Sequence, residues 1–559
     1  MLHLPAQPRT RRHASSLFFF MLMSLWISGC AALPANVHRP VTVALEKTQD
    51  TRLGKALVAR AAAANTRNES GFALLSSADL AFTSRMALIQ AADKTLDLQY
   101  YAVHADETTN KLFEALREAA RRGVRVRILL DDFNTAGDNA QIMKIGFEKN
   151  VELRLFNPLP SSRSSALWRI VSSLGDIDRL QRRMHNKIFV ADNTIGITGG
   201  RNLGDTYFGR SDGVNFVDLD VLAAGRIVRD LSRSFDQYWN NPLAYPVQAL
   251  MTAADIDALK ARPNRNAASA ESALPPSIEP VQANANAGIK TTRISVDPTG
   301  LTTTLALLPD TTNLRLLTLT WAPSVMLVDK PSKIAADADA VDAANDTAVD
   351  GLLSLMSQAK TDLLVVSPYF VPGPEMMKQF ADIRRRGVRV RVLTNSLASN
   401  DAVAAHAGYA RYRKALIAMG VEMYEMRTEQ RGTVASFGAG SGSTGGSAGV
   451  SRASLHAKAV VVDNQLLVVG SMNLDLRSKL QNSEVAIAIR NRKLASQATA
   501  LIEPGMTTGA YRVELEGGQL VWRAPRGLGI KDATSEPDAS LGLKLLVELI
   551  SPFAPDEML

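Results

Sequence analysis

The chain carries a single cysteine, Cys30, in 559 residues. No intrachain disulfide can form, so the fold must be held by its apolar core. Histidine is also scarce: seven in all, five of them after residue 29, and none grouped with metal-ligand spacing. Long apolar runs are missing except for one stretch from Leu17 to Ile27. That stretch is too short to span a bilayer comfortably, which excludes a polytopic membrane protein. Aromatic residues make up 6%, and nowhere do they interleave with a dense basic strip of the kind that tracks nucleic acid.

What is present is ordinary for a globular protein, with 46% hydrophobic and 21% charged residues in a chain long enough for two or more domains. The formal charge is +8, and Arg9, Arg11 and Arg12 supply three of those charges. The remaining mild basicity suits an anionic surface without choosing between lipid headgroups and nucleic acid. The same three arginines, the apolar stretch and Ile27-Ser28-Gly29-Cys30 read as a signal peptide, residues 1–29. Small residues ahead of a cysteine resemble a bacterial lipoprotein processing site, with Cys30 as the point of lipid attachment. The expected location is the bacterial cell envelope, lipid-anchored and periplasm-facing; Ala31 in place of Asp points to the outer membrane.

An internal repeat organises the rest. Arg121-Arg122-Gly123-Val124-Arg125-Val126-Arg127-Ile128-Leu129 returns as Arg385-Arg386-Gly387-Val388-Arg389-Val390-Arg391-Val392-Leu393. Each copy follows a helical pattern, Thr109 to Ala120 or Glu375 to Ile383, and before that an apolar strand, Leu96 to Tyr101 or Leu363 to Val366. Strand, helix and alternating Val/Arg strand make a β-α-β unit, with Gly123 and Gly387 closing the helices. The fold class is therefore α/β, with two domains. The boundaries read as an N-terminal linker at 30–75, a first repeat at 76–250, a linker and inter-domain segment at 251–345, a second repeat at 346–500 and a C-terminal tail at 501–559. Residues 263–300 and 334–347 have linker or loop composition, and Ser436 to Ser451 is a Gly/Ser-rich insertion that reads equally as a mobile lid or a tolerated surface loop. Arg163 to Arg183 and the C-terminal Leu541, Leu545, Leu549, Ile550 and Phe553 have core packing as their first reading and a lipid interface as their second.

The chemistry lies in a motif that occurs once per repeat. His185-Asn186-Lys187, Asp192 and Gly199-Gly200-Arg201-Asn202 match His456-Ala457-Lys458, Asp463 and Gly470-Ser471-Met472-Asn473 at identical offsets. One H-x-K-x4-D would be a weak signal; two at equivalent places of a repeat exclude chance. Apolar residues after each lysine lead to an Asp-Asn turn and a second strand, a hairpin. Residues two apart on a strand share a face, so His185 projects with Lys187 and His456 with Lys458. The glycines let backbone approach a ligand closely, and Asn202 and Asn473 stand as neutral donors.

Displacement at a phosphodiester needs a nucleophile on one side of phosphorus and an acid on the other. Two imidazoles meet that need, one forming a phosphohistidine while the other protonates the leaving alkoxide. Lys187, Lys458, Asn202 and Asn473 would hold the non-bridging oxygens, so neither a metal nor another cofactor is required. Each histidine also needs a carboxylate on its other nitrogen. Glu484 after the second hairpin and Asp220 after the first, preferred to Asp218, are assigned as orienters of the opposite half's histidine. Asp192 and Asp463 belong to the motif, but their place in a turn gives them a structural role.

The paired motifs resemble the phospholipase D superfamily. Longer stretches, including Leu96-Asp97-Leu98-Gln99-Tyr100-Tyr101, Gly199 to Phe208 and His406-Ala407-Gly408-Tyr409-Ala410-Arg411, resemble bacterial cardiolipin synthase C-type proteins over about residues 75–250 and 315–525. The resemblance implies two phospholipase D-like domains, each a mixed β-sheet flanked by helices, related by a pseudo-two-fold axis with the site between them. It implies phosphatidyl transfer between membrane phospholipids, phosphatidylglycerol and phosphatidylethanolamine among them, with no nucleic acid. Transfer and hydrolysis share this chemistry, and the residues alone do not separate them; nor do they say which histidine attacks.

Overall fold

The computed structural model describes residues 33–66, 68–135, 137–159, 176–251, 317–335, 346–431 and 450–551, with 255, 258, 314, 555 and 556. Residues 1–32, which hold the expected signal peptide and Cys30, residues 163–175 and 263–300, and most of 334–347 and of the Gly/Ser insertion lie outside the described residues. Among the described residues no helix is long and apolar enough to cross a membrane.

Both predicted β-α-β units form. Thr95–Tyr100 and Arg125–Asp131 pair in parallel around the helix Glu107–Arg121. Asp362–Val366 and Arg389–Asn395 do the same around Gly373–Arg385. The first helix starts at Asp106, whose carboxylate accepts from the Thr109 amide at 3.1 Å, and it ends before Gly123 at φ +93°. These are the N-cap and left-handed terminus that polar and glycine residues favour. The Val/Arg alternation has a simple cause. The valines enter the core beneath the helix, while Arg127 on the other face is fully buried and pairs with Asp97 at 2.7 Å and Asp236 at 2.8 Å.

Each unit sits in a nine-stranded mixed sheet, and the two sheets run in equivalent order. The first passes from Thr320–Ala322 through Ser70–Leu75, Asp220–Ala224, Ile195–Gly199, Ile188–Ala191, Thr95–Tyr100, Arg125–Asp131 and Val151–Phe156 to Ala244–Pro246. The second passes from Ser324–Val328 through Val485–Arg490, Leu466–Gly470, Ala459–Val462, Asp362–Val366, Arg389–Asn395, Glu422–Met426 and Ala510–Glu516 to Gln519–Arg523. The central motif hairpins turn at Asp192-Asn193 and Asp463-Asn464, all four at positive φ, as tight hairpin turns demand.

The repeat boundaries read from sequence are too narrow. Ser70–Leu75, placed in a linker, is a sheet strand with its first three and last residues buried. Thr320–Ala322 and Ser324–Val328 finish one edge of each sheet, and the Ala510–Glu516/Gln519–Arg523 hairpin, placed in a tail, covers the other edge of the second. A sheet edge leaves backbone donors and acceptors unpaired, and these flanking segments satisfy them. Three apolar layers result. One lies outside each sheet, and a central one mixes Ile188, Val190, Val221 and Leu231 of the first half with Leu364, Val366, Val461 and Leu467 of the second. The two halves thus share a core, and the site forms at its edge.

Candidate active site

Two backbone pairings between the halves build the site. Val450–Leu455 runs parallel to Val214–Val217, with Leu455 opposite Val217. An isolated parallel bridge sets Met184 opposite Ser483. In each case one strand belongs to one repeat and its neighbour to the other. The residues that come next therefore emerge side by side: His456 beside Asp218, and His185 beside Glu484. Backbone bonds lock both, His456 N donating to Val217 O at 2.8 Å and His185 N to Ser483 O at 2.9 Å.

His185 Nδ1 meets the Glu484 carboxylate at 2.9 and 3.0 Å; His456 Nδ1 meets Asp218 Oδ2 at 2.7 Å. Both carboxyls are fully buried, yet both stay below their usual range. Burial pushes each up, and the adjoining imidazole, hydrogen-bonded to it, more than reverses that. An ionised carboxylate only accepts, so Nδ1 carries the hydrogen and Nε2 is the free atom of each ring. Burial drives both histidines down, His185 to about 4, against the opposing pull of their carboxylates. Each lysine folds its ammonium back onto its histidine's carbonyl, Lys187 on His185 O at 2.7 Å and Lys458 on His456 O at 2.6 Å. Burial lowers Lys187 to about 7, helped by the charge of Lys458, and lowers Lys458 to about 8. An ammonium of the second repeat acting on both the ammonium and the imidazole of the first is the mark of a single shared centre.

Aromatic rings wall this centre. Tyr101 stands edge-on to His185 at 5.1 Å and lies 5.6 Å from the Lys187 ammonium. Tyr207 and Phe216 enclose His456 at 5.3 and 4.9 Å, and Tyr369 lies 5.9 Å from Lys458. Tyr101 and Tyr207 lie in stretches that carry the family resemblance but had no role assigned; Tyr369 lies in none, and its place past the C-terminal end of Asp362–Val366, like that of Tyr101 past Thr95–Tyr100, is the signal that could have found it.

Three expectations need correction. The carboxylate on His456 is Asp218, and Asp220 faces away. Asp220 pairs with the buried Arg85 at 2.8 Å and lies 3.5 Å from the Arg201 guanidinium. The cause is strand alternation. Asp220 lies opposite Gly199 where Ala486 lies opposite Gly470, so the true counterpart of Glu484 is two residues before Asp220. The glycines do not make room for a ligand either. A Cβ on Gly200 would lie 2.3 Å from Asp218 Oδ1, and one on Gly199 2.2 Å from Asp220 Oδ1. In the second repeat Ser471 replaces Gly200, and its hydroxyl donates to Glu484. Asn202 is engaged inside the protein, its amide donating to Tyr207 OH at 3.0 Å and its oxygen accepting from Ala102 N at 3.2 Å. It positions the tyrosine against His456. Asn473, by contrast, keeps its buried side-chain oxygen without a partner.

Asp192 and Asp463 sit at the turn end of their hairpins, away from the histidines. Asp192 accepts from the amides of Asp93, Lys94 and Thr95 at 2.8–2.9 Å. Asp463 does the same for Lys360, Thr361 and Asp362. They fix the hairpin to the start of the neighbouring strand. Asp131, the last residue of the strand Arg125–Asp131, accepts from Met184 N at 2.8 Å and pairs with Arg183 at 3.2 Å, holding the approach to His185.

A family model described as "Cardiolipin synthase, PLD-like domain" matches this chain twice, at residues 86–239 and 352–504. Two such repeats, lending each other a carboxylate, make the protein an enzyme of the phospholipase D superfamily. Within that superfamily the chain belongs to the family of that description. It is 34% identical to cardiolipin synthase C of Escherichia coli (strain K12), over 84% of this chain and 92% of the relative. An uncharacterized protein of Helicobacter pylori (strain J99 / ATCC 700824) is 29% identical over 95% of this chain and 98% of its own. Among solved structures, the phosphatidylserine synthase of Haemophilus influenzae Rd KW20 is 14% identical with a TM-score of 0.48, over 81% of this chain and 91% of that one.

Proposed function

We propose that the protein is a phosphatidyltransferase of the cardiolipin synthase type, moving a phosphatidyl group from one phospholipid to the hydroxyl of another. The observation that carries this reading is the crossed pairing, His185 with Glu484 and His456 with Asp218, which leaves two Nε2 atoms to act on one phosphorus.

The first step forms a bond from the Nε2 of one histidine to phosphorus and breaks the bond from phosphorus to the headgroup oxygen. The other histidine, entering this step as the imidazolium with a second proton on Nε2, gives that proton to the departing alkoxide. In the second step the latter ring takes the proton of the acceptor hydroxyl, whose oxygen attacks phosphorus and expels the first ring. His185, held at about 4, is the free base throughout the neutral range and suits the nucleophile. His456, with the shorter carboxylate contact, suits the proton carrier. Lys187 and Lys458 supply positive charge to the phosphoryl oxygens. The exchange is nearly isoenergetic, since one phosphate ester replaces another and the covalent intermediate keeps the bond energy. Phosphatidylglycerol as acceptor, with phosphatidylglycerol or phosphatidylethanolamine as donor, is the substrate reading, and the bacterial envelope, through a lipid on Cys30, the location.

The test is to incubate the protein with labelled phosphatidylglycerol, with and without phosphatidylethanolamine. Labelled cardiolipin supports transfer. Phosphatidic acid as sole product makes the enzyme a hydrolase, and DNA cleavage without lipid turnover makes it a nuclease. His185→Ala and His456→Ala should each abolish turnover, and an active His456→Ala variant would count against a shared centre.

A further inference from the structure

The C-terminal helix Leu541–Ile550 is apolar on two faces. Ser540 caps it, its side chain accepting from Leu543 N. The inner face, Leu543, Val547 and Ile550, packs on Leu397, Val403 and Ala407. The Arg411 guanidinium donates to Ser551 O at 2.8 Å and pairs with Asp556, fixing the helix end. The outer face holds Leu541, Leu545, Leu546 and Leu549, exposed by 73, 55, 42 and 67%. Four of the nine exposed large hydrophobic residues described thus fall on ten residues of chain. The other five, Val41, Val43, Val58, Phe147 and Val325, are scattered, which is normal for a surface. Lys544 and Glu548 take one narrow strip of the helix, and a helix apolar over most of the rest of its circumference is one whose second face is suited to being covered.

Its position indicates what. Leu397, under the helix, belongs to the loop that follows Arg389–Asn395 and carries Asp401 to the site. Tyr369, the ring beside Lys458, donates its hydroxyl to Asp401 at 2.8 Å. Asn395, at the start of that loop, brackets the backbone of Leu455, the residue before His456, at 2.8 and 2.9 Å. The open leucine face is therefore one packing layer from the second-repeat wall of the active site. A substrate with two acyl chains has to reach buried histidines from a bilayer, and a row of exposed leucines so near that wall is suited to the acyl boundary of the bilayer.

We propose that this helix docks the enzyme on its substrate membrane, with Leu541, Leu545, Leu546 and Leu549 inserted among the lipid chains on the second-repeat side of the site. The inference rests on the lipid reading of the active site, and the experiment separates the two. In a Cys30→Ser background, Leu545→Cys carries the only thiol and takes an environment-sensitive fluorophore; Lys111→Cys, on an exposed helix of the first repeat, is the control. Vesicles of phosphatidylglycerol and phosphatidylethanolamine brominated in the acyl chains should quench the label at 545 and not at 111. Equal quenching at both positions, or none, overturns the docking, as does shielding at 545 that appears without vesicles and grows with protein concentration, the sign of a second copy. The double variant Leu545→Glu/Leu549→Glu should lose roughly tenfold or more of its turnover on vesicles while keeping its turnover of short-chain monomeric phosphatidylglycerol. Loss on both substrates, with folding intact, also overturns it. Quenching at 545 with no lipid turnover by the wild type would sink the transferase reading and leave the docking standing.

Discussion

Lys187→Met should destroy activity and yet make the unliganded protein more stable. Lys187 is buried, and its pKa falls from the ordinary 10.5 to about 7. A base whose folded pKa lies below its unfolded one costs stability wherever the unfolded chain holds the proton and the folded one resists it. Here that cost is full below pH 7 and disappears as pH rises toward 10.5. At pH 7 it amounts to about 4 kcal/mol, and by pH 9 to about 2 kcal/mol. Methionine has nearly the same shape and no charge, but it leaves the His185 carbonyl without the bond it receives at 2.7 Å, a loss of about 1–3 kcal/mol. The net expectation is a variant about 2 kcal/mol more stable at pH 7, measured by urea unfolding, with the advantage gone or reversed at pH 9 to 10. Turnover should fall by a factor of roughly 10² to 10³. Tungstate, a phosphate mimic, should stabilise the wild type and leave the variant unmoved. A variant clearly less stable than wild type at pH 7, or a gap that does not shrink with rising pH, would refute the reasoning.

Asp218→Asn should cut kcat by roughly 10² to 10⁴-fold and alter the pH profile, because His456 loses the acceptor that fixes its tautomer. Asp220→Asn should instead show its effect in unfolding, by about 3–5 kcal/mol, since Arg85 and Arg201 are left buried without their counter-charge. Asp463→Asn should lower stability by about 1–2 kcal/mol with kcat at wild-type level, as the amides of residues 360–362 lose a charged acceptor. Acid should destabilise the protein from about pH 6.5 downward, before the surface carboxylates titrate. The unfolded chain takes up a proton at residue 185 near pH 6.5 and the folded one resists until about 4, so stability is lost as pH falls through that window. Urea midpoints from pH 7 to 4, compared with His185→Gln, should show the variant losing less.

Much of this was legible because the repeat is a repeat. The β-α-β units follow from Val/Arg alternation and two helix-closing glycines, and the Asp-Asn hairpins from residues that tolerate positive φ. The His/Lys positions follow from matching offsets, and Glu484 from its place after the second hairpin. What sequence could not settle was register. Asp218 and Asp220 both precede a buried strand, and the loops that separate the glycines from them differ in length between the repeats, so counting from the motif gives no answer. Alignment of the apolar residues, Leu219 with Val485, would have chosen Asp218. The flanking strands were missed for a different reason. Ser70–Leu75, Thr320–Ala322 and Ser324–Val328 are short segments whose strand character comes from the sheet edges they complete, which lie far away in sequence.

The crossed carboxylates carry a further consequence. Neither repeat, cut free, would hold even one working histidine, because the group that fixes each ring's tautomer leaves with the other piece. A lone repeat could regain the chemistry only by meeting a second copy of itself, and two identical copies would make both flanks of the phosphate alike. Joining them in one polypeptide removes that obligation. Ser471 stands where the first repeat has Gly200, and Glu484 where it has Asp218, so the two flanks of the site are free to specialise.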